Sequence, residues 1–488
     1  MDEYQSIQDA SVWEVYNESD LPEGRKAIGS RWVFKVKLNA DGSIDRYKAH
    51  LIVKGYSQKS GIDYDETFAP VSRYDSLRLI IAFASINKLE LGQLDIKTAF
   101  LNGILQEEIW MSPPPGIGLD GKVLLLKKAL YGLKQAPHAW YDRLSSALAE
   151  IMFVASNFDP CVFICTERKT ILVVYVDDLT IVGTTGDLKR LKEHLQSHFI
   201  VTDKGKLHWL LGIEIIETER AIELSQHQYV EHILQRFGME NSNSVTTPLD
   251  KKLQLQRADP DEEIIDINLY QQMIGCLNYL VTGTRPDLAY TVSFLSQFMS
   301  HPLEIHHQAV KRVFRYLSRT RNMKLIYPRH YNCQLELFGY SDADYANCID
   351  TRKSYSGYAF QLGNCTISWS SKKQNSVSTS TTEAEYVALS LTSRQAIWYM
   401  KAFVDLGITL PITIHTDSES AMKVADNPVL YPKTKHIAVH YHFTRDCLLR
   451  ESFTLEYIPG EHNPADLMTK NLERIKHTEF TQQLGCII

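Results

Sequence analysis

Residues 171–183 read ILVVYVDDLTIVG. Two apolar, largely β-branched runs flank the adjacent carboxylates Asp177 and Asp178, a pattern that predicts a hairpin with the acids at its tip. Unpaired charge at the end of such a hairpin is costly unless a cation offsets it. Asp-Asp is also an acceptable turn pair, so Tyr175-Val176-Asp177-Asp178 draws its weight from its surroundings. Upstream, LELGQLDI (89–96) is predicted as a strand carrying an isolated Asp95 near its end. Two strands offering carboxylates at one end suit two hard cations about 3.5–4 Å apart, the arrangement that serves in-line phosphoryl transfer. Neighbouring strand residues face opposite ways, so Asp95 and Asp177 are expected to be the principal ligands and Asp178 a lesser one.

Outward from this hairpin, residues 31–55 alternate around the turn signal NADGS (39–43) and predict two strands with basic outward positions. Helices are predicted over 75–88, from near Thr98, over 136–152 after Pro137, and over 187–199. HWLLGIEI followed by AIELSQ predicts two further strands. Residues 227–330 read as helical, broken by the polar stretch 239–268. Past Pro328 the order becomes β-β-β-α-β-α-β-α over about 150 residues, a typical domain size.

That second unit has its own acids. Asp342 ends a strand, Glu385 lies on a helix, Asp417 ends ITIHTD, and Asp466 stands in HNPADLMTK. Each has an ordinary alternative as a turn, cap or solvated helix residue, and Asp344 and Glu383 are register alternatives for Asp342 and Glu385. Four acids in one pocket would raise one another's pKa unless metal ions bind among them.

The 488 residues carry a net charge of −6, but its distribution is uneven. Residues 25–60 hold nine Lys and Arg against Asp41 and Asp45, and QAVKRVFRYLSRTR (308–321) holds five more, with Val310, Phe314 and Leu317 on its apolar side. No apolar run approaches the roughly 18 residues of a membrane helix, and MDEYQ lacks the marks of a secretory signal. The expectation is an intracellular protein. The eight scattered cysteines form no C-x-x-C pair and predict reduced core residues.

The blocks RWVFKVKLNADGSIDRYKAHLIVKGYSQ, DYDETFAPV, LDIKTAFLNG, ALYGLKQAPHAWY, YVDD and LHWLLGIEI, in this order and spacing, resemble the reverse transcriptases of copia-type (Pseudoviridae-like) retrotransposons. The D-E-D-D set on the C-terminal element order resembles ribonuclease H. The resemblance implies an α+β multidomain chain: a right-hand polymerase with fingers and palm over 1–230, a helical thumb or connection over 231–330, and an α/β ribonuclease H-like domain over 331–488.

It further implies that Asp95, Asp177 and Asp178 are catalytic metal ligands and that Phe100 is a steric gate against the 2′-hydroxyl. Tyr131, Gly132, Lys134 and Pro137 would lie under the incoming nucleotide, and Trp209 and Gly212 in a primer-grip hairpin. Arg46, Lys48 and Lys54 become candidate triphosphate or template contacts. In the second unit it implies Asp342, Glu385, Asp417 and Asp466 as metal ligands and His462 as a mobile product-release residue. One departure stands out: the family reads K-A-R-L in the fingers, whereas Lys48-Ala49-His50-Leu51 stands here, and a mostly neutral imidazole is a poor substitute for a guanidinium fork.

The implied cofactors are two Mg2+ per site, with Mn2+ as a substitute. The implied partners are RNA template, DNA primer, RNA–DNA hybrid and deoxynucleoside triphosphates, together with retroelement capsid and integrase proteins, in a cytoplasmic particle or the nucleus. No protease or integrase signature accompanies these blocks. Two rival readings are a decayed relic that binds nucleic acid without turnover, and a ribonuclease H on an inert polymerase scaffold. His436, His440 and His442 read as surface or substrate-strand contacts rather than a zinc site.

Overall fold

The computed structural model describes residues 2–38, 44–259, 262–329, 335–426 and 438–488. His436 and the side chains of His440 and His442 lie outside the described residues. The chain divides into two compact units, one of residues 1–72 and 91–206, the other of 73–90 and 207–488.

The first unit is built on a six-stranded sheet. Strand Glu90–Ile96 is second from one edge, with Val201–Lys206 outside it and the hairpin Thr170–Tyr175/Asp178–Gly183 on its inner side. The hairpin register pairs Asp178 with Tyr175, leaving Val176 and Asp177 as a two-residue turn. Helices Ala136–Ala149 and Thr185–His198 cover the sheet, burying Trp140, Leu144, Leu148, Leu188, Leu191 and Leu195. Pro137 sits in the first turn of the first helix, where a missing N–H costs nothing.

The basic strands form a separate two-stranded ribbon, Ser30–Leu38 with Ile44–Val53. Its pairs Val33↔His50 and Lys35↔Lys48 share one face, and Phe34↔Ala49 and Val36↔Tyr47 the other. Phe34 and Tyr47 are 76% and 77% exposed, so this ribbon has no core of its own.

Two expectations fail here. The helix expected from Thr98 is a single 3-10 turn, Ala99–Asn102, after which the chain enters strand Ile104–Met111. Leu101, Leu105, Ile109 and Met111 are buried against strand Lys122–Lys128 and its neighbours, and that tertiary burial overrides the local helical bias of LQEE. HWLLGIEI is likewise not one strand. It folds on itself as Trp209–Leu210 against Ile213–Glu217, with Leu211 (φ 50°) and Gly212 (φ 76°) forming the turn. Two consecutive positive φ values define a type I′ hairpin, whose twist matches that of the strands.

The second unit contains a mixed five-stranded sheet in the order Cys365–Lys373, Tyr355–Leu362, Leu337–Asp344, Ile412–Thr416, Thr454–Tyr457. The last three strands run parallel to one another, Tyr355–Leu362 runs antiparallel to them, and Cys365–Lys373 reverses again to point the same way as the trio. Helix Thr381–Asp405 packs on this sheet and buries Ala384, Ala388, Leu389, Ala396 and Tyr399. A helical cluster fills the rest of the unit. In its helix Glu304–Arg319, Val310, Val313, Phe314 and Leu317 are fully buried, each worth about 1.5–3 kcal/mol on removal from water.

Of the basic residues on that helix, Arg312 donates to Thr247 Oγ1 (3.2 Å) and Arg315 to the Asn243 carbonyl (2.6 Å). Helix Tyr74–Ile86 also belongs to this unit: Arg78 Nε donates to the Ile367 carbonyl at 2.8 Å, and Ser85 to that of Tyr327 at 2.8 Å. The seven described cysteines are all buried thiols. No helix among the described residues is long and apolar enough to cross a membrane.

Candidate active sites

The first cluster lies at one end of the six-stranded sheet. Val176 has φ 58°, a backbone conformation a β-branched residue rarely adopts. Two hydrogen bonds hold it there: Trp140 Nε1 donates to the Val176 carbonyl (2.8 Å) and the Ile96 amide to that of Asp177 (2.9 Å). The turn is thereby tied to the residue beside Asp95.

Lys204 Nζ donates to Asp95 Oδ1 at 2.7 Å and lies 3.4 Å from Asp178 Oδ1, which also receives Gln93 Nε2 at 3.4 Å. Asp177 is half-buried, and its carboxyl is pushed above the usual carboxylate range, first by lost hydration and then by the charges of Asp178 and Asp95. All three acids thus feel one another, and Asp178 shares an ammonium with Asp95.

Tyr131 packs beside this cluster. Burial, and then the charge of Asp177, pushes its phenol up to about 12. Its ring meets Phe100 edge to face, centroids 4.8 Å apart, and His50 at 5.3 Å. Gly132 (φ 97°) must remain glycine: a Cβ would stand 2.1 Å from the Val53 carbonyl oxygen, so the loop touches the basic ribbon backbone to backbone. The Val53 amide bonds the Tyr131 carbonyl at 2.8 Å across this seam.

Lys134 is engaged locally, donating to Tyr64 OH at 3.0 Å with its ammonium 4.5 Å from that ring's centroid. His50 Nδ1 lies 3.3 Å from Glu3 Oε1. Arg46 and Lys48 are exposed on the ribbon, and Lys54 is half-buried beside Gly29. Trp209 is 39% exposed, and Tyr279 OH donates to the Leu211 carbonyl at 2.6 Å, fixing the Gly212 turn.

The second cluster sits where the parallel strands of the mixed sheet end. One carboxylate oxygen each from Asp342, Asp417 and Asp466 lie within 4.8 Å of one another. Glu385 joins them electrostatically. Its carboxyl is raised by burial and by the charges of Asp342 and Asp417, and those of Asp417 and Asp466 are raised by burial and by Asp342.

Glu383 does different work. Its Oε2 accepts from the Thr379 amide (2.7 Å) and hydroxyl (2.8 Å), a cap at the start of the helix. Asp344, two residues past Asp342 on the strand, is raised to about 6, mainly by burial. His462 is in an exposed 3-10 turn, 3.6 Å from its neighbour Glu461.

Sequence reading missed several supports. Thr469 donates to Asp342 Oδ2, Asn463 Nδ2 donates to the Ser341 carbonyl (3.0 Å), and Lys470 Nζ lies 2.7 Å from Asp466 Oδ1 and 3.6 Å from Asp342 Oδ2. The only available signal was the i, i+4 spacing of Asp466 and Lys470. Nothing flagged Lys204.

The donors in both clusters are carboxylate oxygens, which suit hard divalent cations; the second set draws three of them within 4.8 Å of one another, whereas Asp95, Asp177 and Asp178 do not converge that closely as a set of three. In the second, Glu385 Oε2 and Asp417 Oδ1 are buried without a hydrogen-bond partner among the described residues, acceptors of the kind a bound cation satisfies.

A family model for reverse transcriptase (RNA-dependent DNA polymerase) matches residues 13–251. The chain is 39% identical over 486 residues to the retrovirus-related Pol polyprotein from transposon TNT 1-94 of Nicotiana tabacum, covering 96% of this chain and 36% of that protein. It is 32% identical over 308 residues to a putative transposon Ty5-1 protein of Saccharomyces cerevisiae, covering 61% of this chain and 99% of that one. A solved foamy viral protease-reverse transcriptase in complex with an RNA/DNA hybrid superposes with a TM-score of 0.46 at 12% identity, over 94% of this chain and 52% of that one. The chain spans about a third of the length of the transposon polyproteins that head its relatives. With its sequence blocks, the family model and these relatives in agreement, the chain belongs to the reverse transcriptase family of copia-type, retrovirus-related transposon Pol polyproteins.

Proposed function

We propose that this chain is an RNA-directed DNA polymerase joined to a ribonuclease H, copying retrotransposon RNA into DNA and cleaving the RNA of the resulting hybrid. The observation that carries the reading is the pair of carboxylate clusters, each at the end of its own sheet and each made only of oxygen donors. Asp95, Asp177 and Asp178 would hold Mg2+, or Mn2+ in its place, in the polymerase pocket; Asp342, Glu385, Asp417 and Asp466 would do so in the nuclease pocket. When bound, a metal pair supplies charge neutralisation at phosphate and an activated oxygen nucleophile.

The chain's own residues do the rest. Phe100, braced by Tyr131, presents an aromatic wall near the aspartates that leaves no room for a 2′-hydroxyl. The Gly132 loop offers close backbone approach to the nucleotide. Arg46, Lys48 and Lys54 attract template or triphosphate, and Trp209 with the Gly212 turn positions the primer end. In the second unit Asp342, Glu385, Asp417 and Asp466 would hold the cations that neutralise the scissile phosphate, and the role read for His462, exposed on its loop, is to help product leave. Hybrid recognition would run through backbone and 2′-hydroxyl contacts and weaken steeply with salt. Capsid and integrase partners would come from the rest of a Pol polyprotein, in a cytoplasmic particle.

The test compares Asp177→Asn with Asp417→Asn in RNA-templated primer extension and labelled-hybrid cleavage. Asp177→Asn should abolish synthesis and spare cleavage, and Asp417→Asn the reverse. Loss of both activities from either well-folded variant would refute the two-site assignment. One observation favours a second reading, a non-catalytic relic: His50 meets Glu3, so this position in the ribbon offers no guanidinium. Duplex binding without extension in the same assay would select it.

A further inference from the structure

In each carboxylate pocket an ammonium of the chain itself already touches the acids. Lys204 Nζ is 2.7 Å from Asp95 Oδ1 and 3.4 Å from Asp178 Oδ1. Lys470 Nζ is 2.7 Å from Asp466 Oδ1 and 3.6 Å from Asp342 Oδ2. The two lysines come from unrelated elements in different units, yet each bridges two acids of its cluster.

Local structure directs each of them there. Strand Val201–Lys206 pairs Thr202 with Asp95, Asp203 with Leu94 and Gly205 with Gln93, so Lys204 is the extra residue of a bulge. A bulge re-aims a side chain out of strand alternation. This one is pinned: Asp203 accepts the Gly205 amide at 2.8 Å and pairs with Lys192 at 2.8 Å. Lys470 follows Asp466 by four residues, past a 3-10 turn whose next residue, Thr469, donates to Asp342. The backbone therefore brings Lys470 back over the cluster that Asp466 enters.

The electrostatic consequence is direct. Several carboxylates in one pocket repel, and an ammonium among them offsets that repulsion in the metal-free chain. The same oxygen lone pairs are those a divalent ion needs, and an ammonium 3–4 Å from such an ion opposes it. Both lysines have long flexible stems and are partly open to solvent, at 40% for Lys204 and 35% for Lys470, so each can withdraw.

We infer that Lys204 and Lys470 are built-in counter-cations of the two active sites, which hold the carboxylates together without metal, compete with divalent ions for the same oxygens, and so set the metal concentration each site requires. This inference rests on the two-metal reading above.

Mn2+ binding to the full chain without nucleic acid tests it, read by the fall in the free-ion paramagnetic resonance signal. Each lysine is examined with the other site silenced, Lys204→Met with Asp417→Asn and Lys470→Met with Asp177→Asn. The expected result is tighter binding, several-fold for the more exposed Lys204 and about tenfold for Lys470, while Lys→Arg, which keeps the charge, stays nearer the parent. Without metal, Lys470→Met should melt earlier than the parent, and its melting point should rise more on Mn2+ addition. If Lys470→Met does not fold, Lys204→Met alone decides. Unchanged or weaker Mn2+ binding by folded Lys→Met variants, with Mn2+ bound by the parent, overturns the counter-cation role and leaves the two-metal reading standing. No Mn2+ bound by parent or variants overturns both.

Discussion

Replacing Gly212 with alanine would act through two separable terms. Gly212 has φ 76°, where an L-residue costs about 1–2 kcal/mol, and its Cβ would fall 2.1 Å from Tyr279 OH, displacing a hydroxyl whose bond to the Leu211 carbonyl is worth about 1 kcal/mol. Gly212→Ala should therefore cost about 3 kcal/mol once some repacking is added. Tyr279→Phe alone should cost about 1 kcal/mol, the hydrogen bond.

In the double variant the hydroxyl is gone and the next nearest atom, Tyr279 Cζ, is at 3.4 Å, so the methyl fits. The pair should then cost about 2–3 kcal/mol, clearly less than the sum of the singles. Hydrogen exchange by mass spectrometry on peptides spanning 207–217 reads this local opening free energy directly. Primer extension should shorten in step with it, if the hairpin holds the primer. Additive costs in the double variant, or unchanged exchange in Gly212→Ala, would refute the argument.

Phe100→Ala should admit ribonucleotides more readily in single-nucleotide incorporation assays, and unchanged sugar selectivity would remove Phe100 from the gate role. Asp287→Asn should destabilise the second unit by about 3–5 kcal/mol in denaturant titration, because it strips the fully buried Arg285 of its bidentate partner at 2.8 and 2.7 Å. The raised carboxyls also set a pH dependence. Folding favours their protonated forms, so without metal the second unit should lose stability as pH rises, for Asp344 from its ordinary 3.8 through about 6. Divalent metal should flatten that slope in thermal melts, and a metal-free stability that rises over this interval would contradict the assigned burial.

The elements best legible in sequence are those whose pattern and packing agree. The continuous apolar runs around Asp177 and Asp178, and the strand carrying Asp95, translate directly into the six-stranded sheet because their burial is two-sided and apolar. The C-terminal order reads out except for an added helix, Ala438–Leu449, before the strand Thr454–Tyr457, and of the two register alternatives on the long helix Glu383 is occupied in capping. What sequence could not convey is long-range. The aim of Lys204 depends on a bulge defined by register with another strand, and no local residue type announces it. The Leu211-Gly212 turn lacks the Asn-Gly signature of such hairpins and is held by Tyr279, 68 residues away. Ile104–Met111 carries Gln and two Glu that favour a helix locally, and only the neighbouring strand makes it extended.

The left-handed Val176 bears on how the first carboxylate pocket responds to change. Its carbonyl is grasped by the indole of Trp140, a residue of the covering helix, and the next carbonyl by the amide of Ile96 in the strand that carries Asp95. The tip therefore behaves less like a loop than like an outcrop of the interior, with no freedom to settle independently. Lesions in the helix behind it, Trp140→Phe foremost, should reach the aspartates as misalignment, costing turnover more than nucleotide affinity.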